Sequence, residues 1–282
     1  MKNLKDMLVK FTLSAMLLTL VGSTVNNFAA PVVRTASGAN AAAIQATVDQ
    51  FRTDLGPLNP NVAQTFPTGR REINWDGVPD ALSSPNNLPA NFFNTNSPRG
   101  AVFTAPCSNG LFRVSSTAAS GTPVRFGEID ASYTDSFTTF SAQRLFTVIS
   151  VFPNSCNILT INFFIPGSPT PATVSGFGVV FTDVDLTGNA RIICFNAAGG
   201  LLAGGILAPA AAPGGLSFIG VSFNEGERIS QCQITSGTTG LAPGHFNGRN
   251  GADVVAMDDF IYGEPQPAQT LAIFDGDGVS NK

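Results

Sequence analysis

The sequence predicts an all-β protein, a two-sheet antiparallel sandwich of jelly-roll-like form with one N-terminal amphipathic helix. The chain has 282 residues, 43% of them hydrophobic and 23 of them Phe, which is enough apolar material for the core of one large domain. After residue 100, short apolar segments alternate with turns rich in Gly, Pro and Asn, and no helical segment recurs between them. A closed barrel would give the same pattern, so the sequence leaves the choice between sandwich and barrel open.

Residues 1–30 predict a secretory signal peptide. Three lysines precede an apolar run from Phe11 to Val21, and small residues follow it. A membrane anchor is the alternative, but the run is shorter than the ~20 residues that span a bilayer. We therefore expect a protein secreted to the extracellular or periplasmic space, with no membrane insertion after the signal is cleaved.

Residues 31–69 predict a loose lead, at 31–39, and then a helix that packs on the main domain. Apolar residues recur on one helical stripe at Ile44, Val48, Phe51 and Leu55. Asn40 is a suitable N-cap, and Gly56 before Pro57 ends the helix. A single helix cannot bury its own stripe, so we expect it to dock on the strands that follow.

Residues 70–264 are predicted to form the sandwich, and residues 265–282 a flexible tail that contains Asp275 and Asp277. Ten segments carry strand signals: 101–104, 111–116, 145–151, 158–164, 174–185, 190–196, 201–207, 216–223, 228–235 and 254–262. Two acids are too few for a closed calcium loop in the tail.

The four cysteines predict two disulfides, because an exported chain folds in a compartment that permits them. None belongs to a C-x-x-C motif, which argues against zinc. We expect the pairs Cys107–Cys156 and Cys194–Cys232, since each joins segments that can be neighbours in a sheet. Buried free thiols are the alternative.

Charge and motifs argue against nucleic-acid binding and against catalysis. The first 30 residues hold three lysines and one aspartate, so the remainder has 12 basic and 18 acidic residues, a formal charge of −6. The only histidine, His245, lies in a glycine-rich loop, and no nucleophile elbow, metalloprotease or phosphate-loop motif occurs. A glycoside hydrolase built on paired carboxylates is the enzymatic alternative, with Glu128 and Asp185 as the acids to test.

Aspartates within apolar strands are the most informative polar residues. Strict alternation places Asp258 on one face of its strand and Asp259 on the other, so at least one carboxylate enters a buried space. A buried carboxylate needs an arginine, several N–H donors or a metal ion. Oxygen ligands from separate segments suit structural Ca²⁺, and the candidates are Asp76, Asp183, Asp185, Asp258 and Asp259. Salt bridges to Arg70, Arg71 or Arg191, or plain solvation at the strand ends, are the alternatives.

Three loop residues are candidates for contact with a sugar ligand: Trp75, Asn247 and Asn250. Trp75 lies in a loop beside Asp76, where it can either stack on a ligand or plug the loop onto the sandwich. Loop amides such as Asn247 and Asn250 can donate hydrogen bonds to a sugar.

Several short motifs carry a resemblance to known domains. The segment Val254–Tyr262 (VVAMDDFIY) resembles the last strand of galactose-binding-like jelly rolls and carbohydrate-binding modules. Gly176–Asp185, Ile192–Leu202, Arg71–Asp80 and Ser141–Phe146 resemble segments of uncharacterised bacterial secreted sandwich domains. The resemblance implies the sandwich fold and a calcium role for Asp258 or Asp259. It implies no sugar ligand, because fold does not fix function.

We therefore expect a secreted, non-catalytic module that binds an extracellular glycan or other polymer and holds a structural calcium ion. The alternatives are a matrix or surface protein with no small ligand, and the carboxylate-dependent hydrolase.

Overall fold

The computed structural model describes residues 30–107, 111–149, 156–245 and 252–268. In chain order its elements are β1 (Val32–Gly38), α1 (Ala41–Leu55), β2 (Arg70–Ile73), a 3₁₀ turn (Asp80–Leu82), α2 (Phe92–Thr95), β3 (Ala101–Thr104), β4 (Leu111–Val114), α3 (Tyr133–Ser136), β5 (Phe146–Ile149), β6 (Ile158–Phe163), β7 (Ala172–Thr173), β8 (Gly176–Thr182), β9 (Arg191–Phe195), β10 (Leu201–Leu207), β11 (Leu216–Ser222), β12 (Gln231–Thr235), β13 (Ala256–Gly263) and β14 (Gln266–Pro267).

Two antiparallel sheets pack face to face and confirm the predicted sandwich. Sheet A has the order β1-β11-β8-β13-β5-β4, with β2 beside β13. Sheet B has the order β10-β9-β12-β6-β3, and β14 pairs with β7 separately. Each of the ten predicted strand segments overlaps one of these strands.

The strands extend beyond both predicted ends of the sandwich. The expected loose lead is wrong, because β1 pairs with β11 along its full length, from Val32 opposite Ser222 to Gly38 opposite Leu216. The sandwich therefore begins near residue 32 and not at residue 70. The tail begins later than predicted, since β14 lies beyond Glu264 and pairs with β7. The signal segment at 1–29 and the two tail aspartates lie outside the described residues.

Helix α1 forms where the sequence predicts it. The side chain of Asn40 accepts a hydrogen bond from the Ala43 N–H at 3.2 Å, and Gly56 adopts φ 96°, a left-handed conformation that favours glycine at a helix end. Its apolar stripe is buried on sheet A. Among the described residues, no helix is long and apolar enough to cross a membrane.

The helix approaches sheet A closely because two glycines face it. Gly178 of β8 and Gly220 of β11 lie directly opposite each other, and the Phe51 ring covers both. A Cβ on either glycine would lie 2.6 Å from that ring, so larger residues would push the helix away.

The inter-sheet core is rich in aromatic residues. The rings of Trp75 and Phe146 stack with centroids 4.0 Å apart, and Phe103 and Phe260 pack around them. A second apolar cluster lies outside sheet A and comprises Phe126, Tyr133, Phe137, Leu145, Leu241, Val254 and Ala256. Together with α1, it covers the outer face of that sheet.

Both predicted disulfides are confirmed. Cys107 and Cys156 join the chain just after β3 to the chain just before β6, and Cys194 and Cys232 lie opposite each other on β9 and β12. Each bridge therefore belongs to sheet B.

Candidate functional site

The two adjacent aspartates of β13 lie on the same face of sheet A. Met257 pairs with Phe181 while Phe260 pairs with Val179, so Asp258 and Asp259 together oppose one residue of β8 in a β-bulge. Met257 and Phe260 both enter the inter-sheet core, and both carboxylates point to the outer side. The prediction that they occupy opposite faces is wrong, because the bulge interrupts the alternation.

Ser141 joins the two carboxylates. Its Oγ lies 2.7 Å from Asp259 Oδ1 and 3.1 Å from Asp258 Oδ1, and the Phe140 N–H donates to Asp258 Oδ2 at 2.6 Å. On the far side, Arg52 of α1 reaches Asp259 at 3.3 Å and Glu72 at 2.9 Å. The acids are thus anchored to the helix that covers them.

The network needs one bound proton. Burial, and then the charge of Asp259, raise the pKa of Asp258 well above its ordinary value. Burial also raises the pKa of Asp259, against the Ser141 hydrogen bond and the Arg52 charge. A hydroxyl has a single proton, so Ser141 can donate to only one acid. The arrangement fits one proton held by the pair on the side of Asp258, whose pKa the hydrogen bond with Asp259 raises, while the same hydrogen bond, Ser141 and Arg52 favour the charged form of Asp259.

Trp75 takes the second of its two predicted roles and plugs the loop onto the sandwich. It is 1% exposed, and its Nε1 donates to the Asp258 carbonyl oxygen at 2.8 Å. Neither face of the indole is open to a ligand, because Phe146 and its neighbours surround it.

The remaining calcium candidates lie at other places in the fold. Asp76 accepts the Arg144 N–H at 3.1 Å, and partial burial raises its pKa. Asp183 has φ 70° and accepts the Gly214 N–H at 2.6 Å. Asp185 lies beside Asp253, which is described below.

The predicted five-aspartate set therefore does not come together. Within the part of the chain that the structure describes, no group of three or more His, Cys, Asp and Glu side chains is arranged to hold a metal.

The loop residues singled out from the sequence are His245, Asn247 and Asn250. His245 Nδ1 lies 3.3 Å from Thr239 Oγ1 and 3.2 Å from the Gly240 carbonyl oxygen. Asn247 and Asn250 lie outside the described residues.

The outer surface of sheet B is the feature that the sequence reading missed. Its strands alternate buried and half-exposed residues, so one face packs in the core and the other faces outward. We call the outward side chains of its three central strands the open face: Ile158, Thr160, Asn162, Gln231, Gln233, Thr235, Arg191, Ile193 and Phe195.

The open face is ordered in rows across the strands. Gln231 lies between Asn162 and Phe195, and Gln233 lies between Thr160 and Ile193. Among the described residues, the side-chain amides of the two glutamines form no hydrogen bond within the protein. Arg191 is the only charged residue in the five strands of the sheet. The surface thus presents two glutamine amides with no partner in the described residues and the Asn162 amide, which donates to Thr104 Oγ1 at 3.2 Å. Beside them lie one aromatic ring and one charged side chain, Phe195 and Arg191.

The signal for this surface is present in the sequence as a period-two pattern. Gln231 and Gln233 flank Cys232, and Thr160 and Asn162 flank Ile161. The pattern predicts an outward polar face for these strands, but it does not tell which sheet another element will cover.

Comparisons of the chain with protein-family models, with curated proteins and with solved structures found no match. The resemblance to galactose-binding-like jelly rolls and carbohydrate-binding modules therefore stays a prediction.

Proposed function

We propose that the protein is a secreted, non-catalytic module that binds a neutral polysaccharide along the open face of sheet B. The observation that carries this proposal is the set of amides and hydroxyls on a half-exposed sheet surface with one charged residue in its strands.

The chemistry of this surface suits a sugar polymer. Side-chain amides donate and accept hydrogen bonds, as sugar hydroxyls do, and each can contact two neighbouring hydroxyls. Phe195 offers an apolar ring on which the C–H face of a sugar can rest. The side chains of the open face form successive rows across the strands, so an extended polymer of repeating sugar units can contact several rows at once.

The acids of sheet A support a non-catalytic role. Asp258 and Asp259 are buried beneath α1 and bonded to Ser141 and Arg52, so they hold the fold together and are closed to a polymer. Glu128, one of the two acids considered for hydrolysis, accepts a hydrogen bond from the Ser84 hydroxyl.

Affinity electrophoresis and pull-down with neutral glucans, xylans and mannans test the proposal. The wild-type protein should be retained by at least one polymer, and the double variant Gln231→Ala/Gln233→Ala should bind about tenfold more weakly, since each lost hydrogen bond contributes ~0.5–1.5 kcal/mol. Gln64→Ala removes the same group from an exposed loop and serves as the matched control.

Two results would overturn the proposal. If no polymer retains the wild-type protein, the alternative of a matrix protein without a ligand is favoured. If the double variant binds as tightly as the wild type, the binding site does not lie on the open face of sheet B. Release of reducing ends from any polymer would favour the hydrolase.

A further inference from the structure

A second polar site lies at one end of sheet A, where two aspartates face each other. Thr182 of β8 pairs with Ala256 of β13 in antiparallel register. Asp185 follows Thr182 by three residues, and Asp253 precedes Ala256 by three residues. Antiparallel pairing therefore brings both acids to the same end of the two central strands.

Asp253 is buried with an unpaired oxygen. It is 1% exposed, and its Oδ2 accepts a hydrogen bond from Asn189 Nδ2 at 2.9 Å. Its Oδ1 has no hydrogen-bond partner within the geometric limits among the described residues, while the backbone N–H groups of Asp185 and Leu186 lower the pKa of this carboxyl against the effect of burial. Asp185 Oδ1 is likewise buried without a partner in the described part of the chain.

No cation in the described residues compensates these charges. Neither acid takes part in an ion pair there, in contrast to Asp259, which is paired with Arg52. Burial, and then the charge of Asp253, raise the pKa of Asp185, and burial raises the pKa of Asp253. A buried carboxylate beside a partly buried one, each with an unpaired oxygen, is unfavourable unless a proton or a cation lies between them.

We propose that Asp185, Asp253 and Asn189 form a Ca²⁺ site. Carboxylate and amide oxygens are the ligands that Ca²⁺ prefers, and backbone carbonyls and water complete its six to eight oxygens. The Asn189 side chain can present Oδ1 in place of Nδ2 by a half-turn of its amide. The turn from Leu186 to Asn189, closed by a 3.3 Å backbone hydrogen bond, fixes the position of that amide.

The site differs from the one predicted from the sequence. It keeps Asp185, adds Asp253 and Asn189, and leaves out the Asp258–Asp259 pair, whose charge is already compensated. This inference is independent of polysaccharide binding by sheet B.

Calorimetric titration of chelator-treated full-length protein with CaCl₂ tests the site. We expect one Ca²⁺ per chain, with a dissociation constant on the order of 10⁻⁴–10⁻³ M as in extracellular modules. Asp253→Asn and Asp185→Asn should each weaken binding at least ~10-fold, because each removes one of two charged ligands. Asp135→Asn, the same change at an exposed acid, and Asp258→Asn should bind as the wild type does.

Thermal melting distinguishes the loss of a ligand from a failure to fold. Without calcium, Asp253→Asn should melt at or above the wild-type temperature, because it removes the repulsion between the buried Asp253 and the partly buried Asp185. With calcium, only the wild type and the controls should gain stability. The proposal fails if the folded wild type binds no calcium at about 10 mM, well above the expected range. It also fails if Asp253→Asn keeps wild-type affinity, or if Asp258→Asn alone abolishes binding.

Discussion

Sheets A and B are built from similar strands and differ in what lies outside them. Every residue of β8 and β13 is buried, because α1 and the second apolar cluster cover sheet A. In β6 and β12 every second residue is half-exposed, because no described element covers the outer face of sheet B. The covered sheet holds acids that require partners, and the open sheet holds neutral polar groups that water satisfies.

The two sheets are also stabilised by different means. Sheet A has apolar contacts on both faces, whereas sheet B has them on one face and is joined by both disulfides. Sheet A is thus held in the domain by the elements that cover it, and sheet B by covalent bridges between its strands.

Phe51→Ala should lower the free energy of unfolding by about 3–5 kcal/mol, because it leaves a cavity above Gly178 and Gly220. Phe195→Ala removes the same ring from the open face and should cost about 1 kcal/mol or less. Urea denaturation measures both. Equal losses would mean that the open face is covered in solution.

Cys194→Ala/Cys232→Ala should cost about 2–4 kcal/mol, because the bridge closes a loop of 38 residues in the unfolded chain. Hydrogen exchange should lose protection in β9 and β12 more than in β8. A uniform loss across both sheets would contradict a separate stabilisation of sheet B.

Asp258→Asn should raise the free energy of unfolding at pH 7, because burial and the charge of Asp259 raise the folded-state pKa of Asp258 well above its ordinary value. The folded-state pKa of Asp258 lies above its unfolded value, so its contribution is fully present below about pH 4 and is lost as the pH rises through the folded pKa. The amide can donate a hydrogen bond, as the neutral acid does, and does not ionise.

Thermal melts between pH 4 and 8 check this expectation. The stability of the variant should vary less over this range than that of the wild type, and Asp135→Asn is the control. A loss of stability at every pH would mean that the network requires an ionised Asp258.

Thr160→Val should change the free energy of unfolding by no more than about 0.5 kcal/mol, because the hydroxyl faces water on the open face. Urea denaturation checks the effect. A large loss would show that this residue is part of a buried network and not of a surface.

The features that local sequence determines were predicted correctly. Helix α1 follows from a cap, a stripe and a stop within a few residues, and the ten strands follow from short apolar segments between turns. The disulfide pairing followed from the placement of the cysteines in those strands.

The features that depend on long-range pairing were not predicted. The bulge at Asp258 adds a residue that no alternation rule anticipates, and its position depends on the register with β8. The closeness of Asp185 and Asp253 depends on that same register. The open face depends on where α1 docks, which its own stripe does not specify.

The pairing of β1 with β11 has a consequence for the order in which the molecule is assembled. Translation makes the amino-terminal strand and helix first, yet their partners lie in β8, β11 and β13. These early segments have no partner strand until the chain up to residue 222 has been made. Among the described residues, β13 is the last long strand of sheet A, so this sheet is complete only after β13 has been made.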